Sequence, residues 1–284
     1  MTIATERPLA GRLSISLRRP RPGVAVATGF LGLILVAVLW PGLLAGDPLA
    51  ADPFHVLQAP SATHWFGTDQ LGRDVFDRVV HGARHSLAIG ALATLIAVTA
   101  GILLGVLAGL SHRYADEALS RSFDALSAFP LLLLALLFIA VAGPGTVSLV
   151  VAIGIATLPH YARVVRAQTF VVRQAGYVTQ AVAYGDSRTR LVLRHVLPNV
   201  LGPIPVLAMI GLGEAVLAAA GLSFLGLGPQ PPSPEWGAML SEGRGYLRIA
   251  WWASVLPGLV VTATVIALTV TGRHLQRRFE GRDR

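Results

Sequence analysis

The sequence predicts an all-α polytopic membrane protein with six transmembrane helices, and three observations carry that prediction. Of 284 residues, 54% are apolar and only 13% are charged, where a soluble domain carries roughly 25% charge. Uncharged runs of about 20 residues recur, each able to cross about 30 Å of hydrocarbon as a helix. Arg is shared between alternate loops in very unequal numbers, the asymmetry that orients membrane proteins.

The first uncharged run is 24–44, behind a tail at 1–23 that holds Arg7, Arg12, Arg18, Arg19 and Arg21. A cleavable signal has a shorter apolar stretch of about 7 to 15 residues, so a retained helix is expected. Further spans are expected at 86–110, 125–142, 146–162, 200–222 and 250–272. In the 45–85 loop, Asp47-Pro48 and Asp52-Pro53 mark turns. Residues 69–82 then read as an amphipathic helix along the interface, with Val75, Phe76, Val79 and Val80 on one side. Arg73 with Asp77 and Asp74 with Arg78 are spaced for i,i+4 pairs, worth about 0.2–0.5 kcal/mol each. In the second span Ala93, Ala97, Gly101, Gly105 and Gly109 recur every fourth residue. They form one small-residue face on which another helix can seat closely. Pro130, Pro159, Pro203, Pro205 and Pro257 fall within or at the ends of spans, where proline kinks helices.

Six spans put both termini on one side. The two tails and the loops 111–122 and 163–199 hold 18 Arg, whereas the opposite loops hold Arg73, Arg78, Arg84, Arg244 and Arg248. All five Trp lie in or beside those opposite loops, as an interfacial aromatic belt would place them. Both termini are therefore expected to be cytoplasmic. The net charge of +8 is carried by Arg alone, with no Lys and no Cys in the chain. That excludes a P-loop lysine, Schiff-base chemistry, disulfides and thiolate metal sites. The eight His form no HExxH pattern; His64, His81 and His85 would be the first to test as metal ligands.

The 163–199 loop is the most informative. Ala167–Tyr184 contains no Pro and only Gly176, with apolar pairs Phe170/Val171, Tyr177/Val178 and Ala181/Val182 at helical spacing. Gly185 then serves as a left-handed stop, and Asp186 or Ser187 caps a second helix through Leu191, Val192, Leu193 and Val196 to Pro198. Such a unit suits docking of a separate cytoplasmic protein. The alternative is a pair of helices held on anionic lipid by Arg163, Arg166, Arg173, Arg188, Arg190 and Arg194.

Tyr177-Val178-Thr179-Gln180-Ala181-Val182-Ala183-Tyr184-Gly185, followed by Arg194-His195-Val196-Leu197-Pro198-Asn199, resembles the EAA loop of binding-protein-dependent ABC importer permeases. His64-Trp65-Phe66-Gly67-Thr68-Asp69-Gln70-Leu71-Gly72-Arg73-Asp74, with Gly82-Ala83-Arg84-His85-Ser86-Leu87, is similar to the dipeptide, oligopeptide and nickel group. So are Leu222-Ser223-Phe224-Leu225-Gly226-Leu227-Gly228 and Pro234-Glu235-Trp236-Gly237. The resemblance covers 64–272 in order and points to the C-type permease subunit, with a type I ABC importer permease fold and a core at 86–272. It implies a coupling segment at Ala181, Val182, Ala183, Tyr184, Gly185, Asp186, Ser187 and Arg188. The implied partners are a homologous B-type permease, one or two P-loop ATPase subunits, a solute-binding protein and the bacterial inner membrane, with no nucleic acid. No cofactor is implied on this chain; ATP and Mg²⁺ belong to the partner ATPase. Di- or oligopeptide is the implied cargo, with nickel or another small solute as the alternative. The chain departs from the family at Thr179, where the EAA glutamate stands in relatives, and at Ala219, where many carry Glu. Its Thr271-Gly272-Arg273-His274 also differs from their Gly-Asp-Gly.

Two further groups of candidates follow. Glu214 stands alone in the fifth span, where an ionised carboxylate costs a few kcal/mol unless it faces water or a partner. It is a translocation-path candidate or, in a stand-alone carrier, a proton carrier. Asp124 reads as an end charge. Asp69, Arg73, Asp74, Glu235 and Trp236 are candidates for docking the binding protein; the same loops could equally be a lid on the bundle.

Overall fold

The structure, a computed structural model, describes residues 22–279. The Arg-rich residues 1–21 and the last five residues lie outside it. The chain runs through α1 (Pro22–Leu39), α2 (Val75–Leu110), α3 (Arg113–Ser127), α4 (Leu131–Ala142), α5 (Thr146–Arg173), α6 (Gly176–Ala183) and α7 (Arg188–Leu191). It continues through α8 (Leu197–Val200), α9 (Ile204–Phe224), α10 (Trp236–Gly243) and α11 (Trp252–Phe279). Among the described residues there is no strand, only an isolated bridge between Thr68 and Asp74.

Among the described residues five helices, α1, α2, α5, α9 and α11, are long and apolar enough to cross a membrane, and the pair α3–α4 makes a sixth only as a broken span bent by 92°. The span expected at 125–142 is thus broken at the proline expected to kink it. Pro130 caps α4 with an extended backbone, and it forces Phe129 away from helical geometry. α4 has 12 residues, about 18 Å, too short to cross about 30 Å of hydrocarbon alone. α3 lies across it, burying Phe123 and exposing Tyr114. Arg166 of α5 ties it down, donating from Nη2 to Asp116 at 2.7 Å; that ion pair holds the Asp116 carboxyl below the usual range.

A correction concerns 69–82, which is not a separate interfacial helix. Asp74 caps α2, its Oδ1 accepting the Phe76 and Asp77 N–H groups at 2.7 and 3.2 Å. From there α2 runs unbroken for 36 residues, about 54 Å. Its first turns lie under the loop that joins it to α1, and under α10. The expected i,i+4 pairs do not form. Asp77 instead accepts the Gly46 N–H at 3.0 Å, and Asp74 pairs with His64 at 2.8 Å.

The bundle is organised around the small-residue face of α2, where α5 seats. Ala93 and Ala97 are wholly buried. A methyl on Gly101 would lie 2.6 Å from the Tyr161 Cβ, one on Gly105 2.6 Å from the Ala162 carbonyl oxygen, and one on Gly109 2.6 Å from the Thr169 Cβ. These glycines are where the two backbones touch, so packing rather than sequence alternation fixes the register of α2 on α5. Arg173 closes the seam by donating to the Gly109 carbonyl at 2.9 Å. α9 packs beside α5 on α2, and α1 with α11 covers the remaining side through Ile34, Ala37 and Val261.

Candidate functional site

At the Arg-rich end, the chain leaves α5 at Arg173, where the helix stops rather than continuing to Tyr184 as its composition suggested. Gln174 and Ala175 break it, and α6 starts afresh at Gly176. α6 ends in a Schellman turn. The Gly185 N–H donates to the Val182 carbonyl at 3.0 Å and the Asp186 N–H to the Ala181 carbonyl at 3.1 Å. Gly185 sits at φ +86°, a region closed to most side-chain-bearing residues. Ser187 caps α7, accepting the Arg190 N–H at 3.4 Å. Pro198 does not end this second helix. A π turn at Val192–Val196 opens the ladder before it, and the chain stays helical through α8.

The faces of this unit differ. Val178 is buried with Val165, Val172, Val196, Val200 and Ile204, a cluster joining α6 to α5 and to the approach to α9; Ala181, expected in the coupling segment, is also buried rather than on its outer surface. Val182, Ala183, Tyr184, Gly185, Ser187 and Arg188 are exposed, Tyr184 by 91%. Asp186 is partly covered and bridges Arg190 at 3.2 Å and His195 at 3.4 Å. Thr179 and Gln180 are exposed on the same outer surface.

Deeper in the bundle, a cleft of about 420 Å³ opens between the α3–α4 bend, α5 and α9, and Glu214 lines it. Tyr161, His160, Thr157 and Arg163 line it from α5, and Phe129 from the bend. Nothing in the sequence pattern singled out this α5 group, because Tyr161 reads as an ordinary apolar-face aromatic. One turn from Glu214, Gly211 makes room for the phenol: a methyl there would lie 1.8 Å from the Tyr161 hydroxyl.

At the opposite, Trp-bearing end, four of the five docking candidates are buried. Asp69 is 2% exposed, Arg73 3%, and Glu235 and Trp236 0%; Asp74 is the α2 cap described above. They build the outer cap instead of facing outward. Arg73 donates to Asp69 at 2.7 Å and to Glu242 at 3.0 Å, and Arg78 to the same two carboxylates at 2.7 and 2.9 Å. Glu242 was missed in the sequence because it joins this cluster from more than 160 residues away. Glu235 caps α10 by accepting the Gly237 and Ala238 N–H groups, each at 2.9 Å, and takes the Ser86 hydroxyl at 3.1 Å. Trp236 donates to the Val79 carbonyl at 2.8 Å, and Trp252 to the Thr68 carbonyl at 3.1 Å. Replacing Glu235 by Ala is expected to lower stability by about 2 kcal/mol, since a buried cap and a Ser86 partner go together; thermal unfolding in detergent checks it. His64, His81 and His85 are not gathered, and among the described residues no group of three or more His, Cys, Asp or Glu could hold a metal.

The chain matches the family model described as the binding-protein-dependent transport system inner membrane component over residues 101–282. It is 41% identical to a dipeptide transport system permease protein, DppC, of Alkalihalophilus pseudofirmus, over 89% of this chain and 83% of that one. It is 40% identical to a glutathione transport system permease protein, GsiD, of Pectobacterium atrosepticum, over 90% and 86%. A di/tripeptide transport system permease of Pseudomonas aeruginosa is 41% identical over 87% and 85%. Among solved structures, the MetNI methionine ABC transporter in an inward-facing conformation aligns with a TM-score of 0.57 at 18% identity, covering 71% of this chain and 96% of that one. An amino acid ABC transporter aligns with a TM-score of 0.56 at 15% identity, covering 72% and 94%.

Proposed function

This chain belongs to the binding-protein-dependent transport inner membrane component family and has the fold of type I ABC importer permeases, and from that premise we propose that it is the C-type permease subunit of an ATP-driven peptide importer. It pairs with a homologous B-type permease to enclose the translocation path. One or two P-loop ATPase subunits bind ATP and Mg²⁺ and engage the exposed surface from Val182 to Arg188. A solute-binding protein delivers cargo at the Trp-bearing end. The chain itself is not a catalyst.

The observation that carries this reading is the two-faced α6–Gly185–α7 unit. Its outer face is free, while Val178 is packed with residues of α5 and the start of α9. Those two helices also wall the Glu214 cleft. A push on Tyr184 is therefore delivered to both walls of the cleft through close-packed side chains, which transmit displacement because interiors are nearly incompressible. A self-sufficient proton carrier has no use for such a unit. Di- and tripeptide transport by relatives about 40% identical supports peptide as cargo over nickel or another small solute.

Burial also supports cytoplasmic termini and a location in the bacterial inner membrane. Of the five Arg at the Trp-bearing end, Arg73 and Arg78 are neutralised inside the cap. Arg84 is used on the last carbonyls of α1, donating to Val38 and Leu39 at 2.8 and 3.0 Å. Few positive charges at that end remain available to retain it on the cytoplasmic side.

Purification from the native membrane in mild detergent is expected to recover a second permease and a P-loop ATPase; recovery of the chain alone would refute the assignment. Gly185→Pro tests the coupling unit. Proline cannot take φ +86° and removes the N–H that closes the turn, a penalty of about 3 kcal/mol, or roughly a hundredfold in the population of the turn. In proteoliposomes peptide uptake is expected to fall by about that factor while membrane insertion and ATP hydrolysis persist. Wild-type uptake would remove this element from the mechanism.

A further inference from the structure

A carboxylate on a membrane-crossing helix needs a counter-charge or water, and among the described residues no counter-charge is paired with Glu214. Its side chain is exposed, and it makes no hydrogen bond or ion pair with any described residue. Leu217, one turn on along the same face of α9, is also 56% exposed, so this face is left open by the fold. The nearest guanidinium in the cleft is already committed: Arg163 donates to the Ser127 hydroxyl at 2.8 Å and lies 3.7 Å from Asp124. The cleft thus holds an acid whose charge is unspent, with Tyr161, Phe129 and His160 also in its lining. A carboxylate with aromatic faces beside it is the chemistry that accepts an ammonium group. The volume of about 420 Å³ falls in the range of small-molecule sites, about 300–1,000 Å³.

We propose that the cleft is a subsite for the protonated amine of the transported solute, with Glu214 as the ion-pairing residue and Tyr161 and Phe129 as its aromatic walls. This rests on the importer reading and names the part of the cargo that the membrane domain recognises. A peptide's free N-terminus supplies such a group, and an N-acetylated peptide does not. Gly211 belongs to the same subsite, since only a residue without a side chain lets the Tyr161 ring reach the α9 surface beside Glu214.

The test uses the complete complex, purified with its native partners and reconstituted in vesicles. Uptake of alanyl-alanine and of N-acetyl-alanyl-alanine is measured for wild type, Glu214→Gln and Glu214→Asp, with ATP hydrolysis recorded alongside. The binding protein is the same in every assay, so a change in the ratio of the two uptake rates is set in the membrane domain. Loss of one charge-assisted contact is worth about tenfold. Glu214→Gln is therefore expected to lower the free-to-acetylated ratio by about tenfold, and Glu214→Asp to retain most of the preference. An unchanged ratio in a transporting Glu214→Gln complex would overturn the subsite and leave the importer intact. Loss of the partner permease from the purified Glu214→Gln complex, but not from Leu217→Gln, would also overturn it and assign the carboxylate to a subunit contact. Absence of ATP-dependent uptake in the wild-type complex would overturn both readings.

Discussion

Gly105→Leu is expected to leave little or no folded chain in the membrane. Gly105 lies midway along the α2–α5 seam, where even a methyl would meet the Ala162 carbonyl oxygen at 2.6 Å and the Val165 Cβ at 2.7 Å. One of these neighbours is backbone, so rotamer adjustment cannot relieve the clash and the helices must separate. Separation opens the contacts at Gly101 and Gly109 as well. Overpacking of a tight interior costs about 1–3 kcal/mol where side chains can yield, and here the cost is expected at or above the top of that range. Gly105→Ala should fall within it. Leu103→Phe, on the same helix but 64% exposed, should be close to neutral. Expression, protease resistance and thermal unfolding in detergent would distinguish the three variants. A fully stable Gly105→Leu would mean that α2 and α5 do not meet along this face.

Arg78→Met is expected to destabilise the outer cap by about 3 kcal/mol. Arg78 is 1% exposed and balances, with Arg73, the two carboxylates of Asp69 and Glu242. Removing one base from a buried group of two acids and two bases leaves an uncompensated negative charge, a change that costs about 3–5 kcal/mol. The lower figure applies because the Arg78 Nε and Nη2 atoms are buried without protein partners, and methionine relieves that desolvation. Adding Glu242→Leu to Arg78→Met restores neutrality and should recover most of the loss. A double-mutant cycle on thermal unfolding measures this; strict additivity of the two single effects would show that the charges are not coupled.

The features legible in the sequence are those fixed by short-range periodicity. The small-residue stripe of α2 identified the α5 seam because a four-residue repeat marks one helix face whatever packs on it. Gly185 identified a turn because a left-handed stop strongly favours glycine. What stayed hidden was set by distant parts of the chain. Arg73 and Arg78 had tempting partners four residues away in Asp77 and Asp74, yet both bases pair with Glu242 across the fold. The cap is dry enough that a buried cluster outweighs a solvated pair along a helix. The same burial takes Asp69, Arg73, Glu235 and Trp236 away from the surface where docking was expected. The break in 125–142 was signalled by Pro130, but an uncharged run looks the same whether it is straight or bent. The break at Gln174–Ala175 had no local signal beyond Gly176. Glu214 was legible as an isolated acid, whereas the α5 residues that surround it are brought there only by the seam.

The outer ionic cluster also carries a sense of time. On the orientation proposed above, Arg73 and Arg78 cross the membrane early in synthesis, within a stretch that already contains Asp69, Asp74 and Asp77. Those acids leave the emerging segment without a net positive charge to oppose its passage. Glu242 follows more than 160 residues later, and until it arrives two guanidinium groups share Asp69 alone. The cap therefore closes only after nearly the whole polypeptide has been threaded, and a chain cut short before α10 is left with two guanidinium groups on the one carboxylate of Asp69.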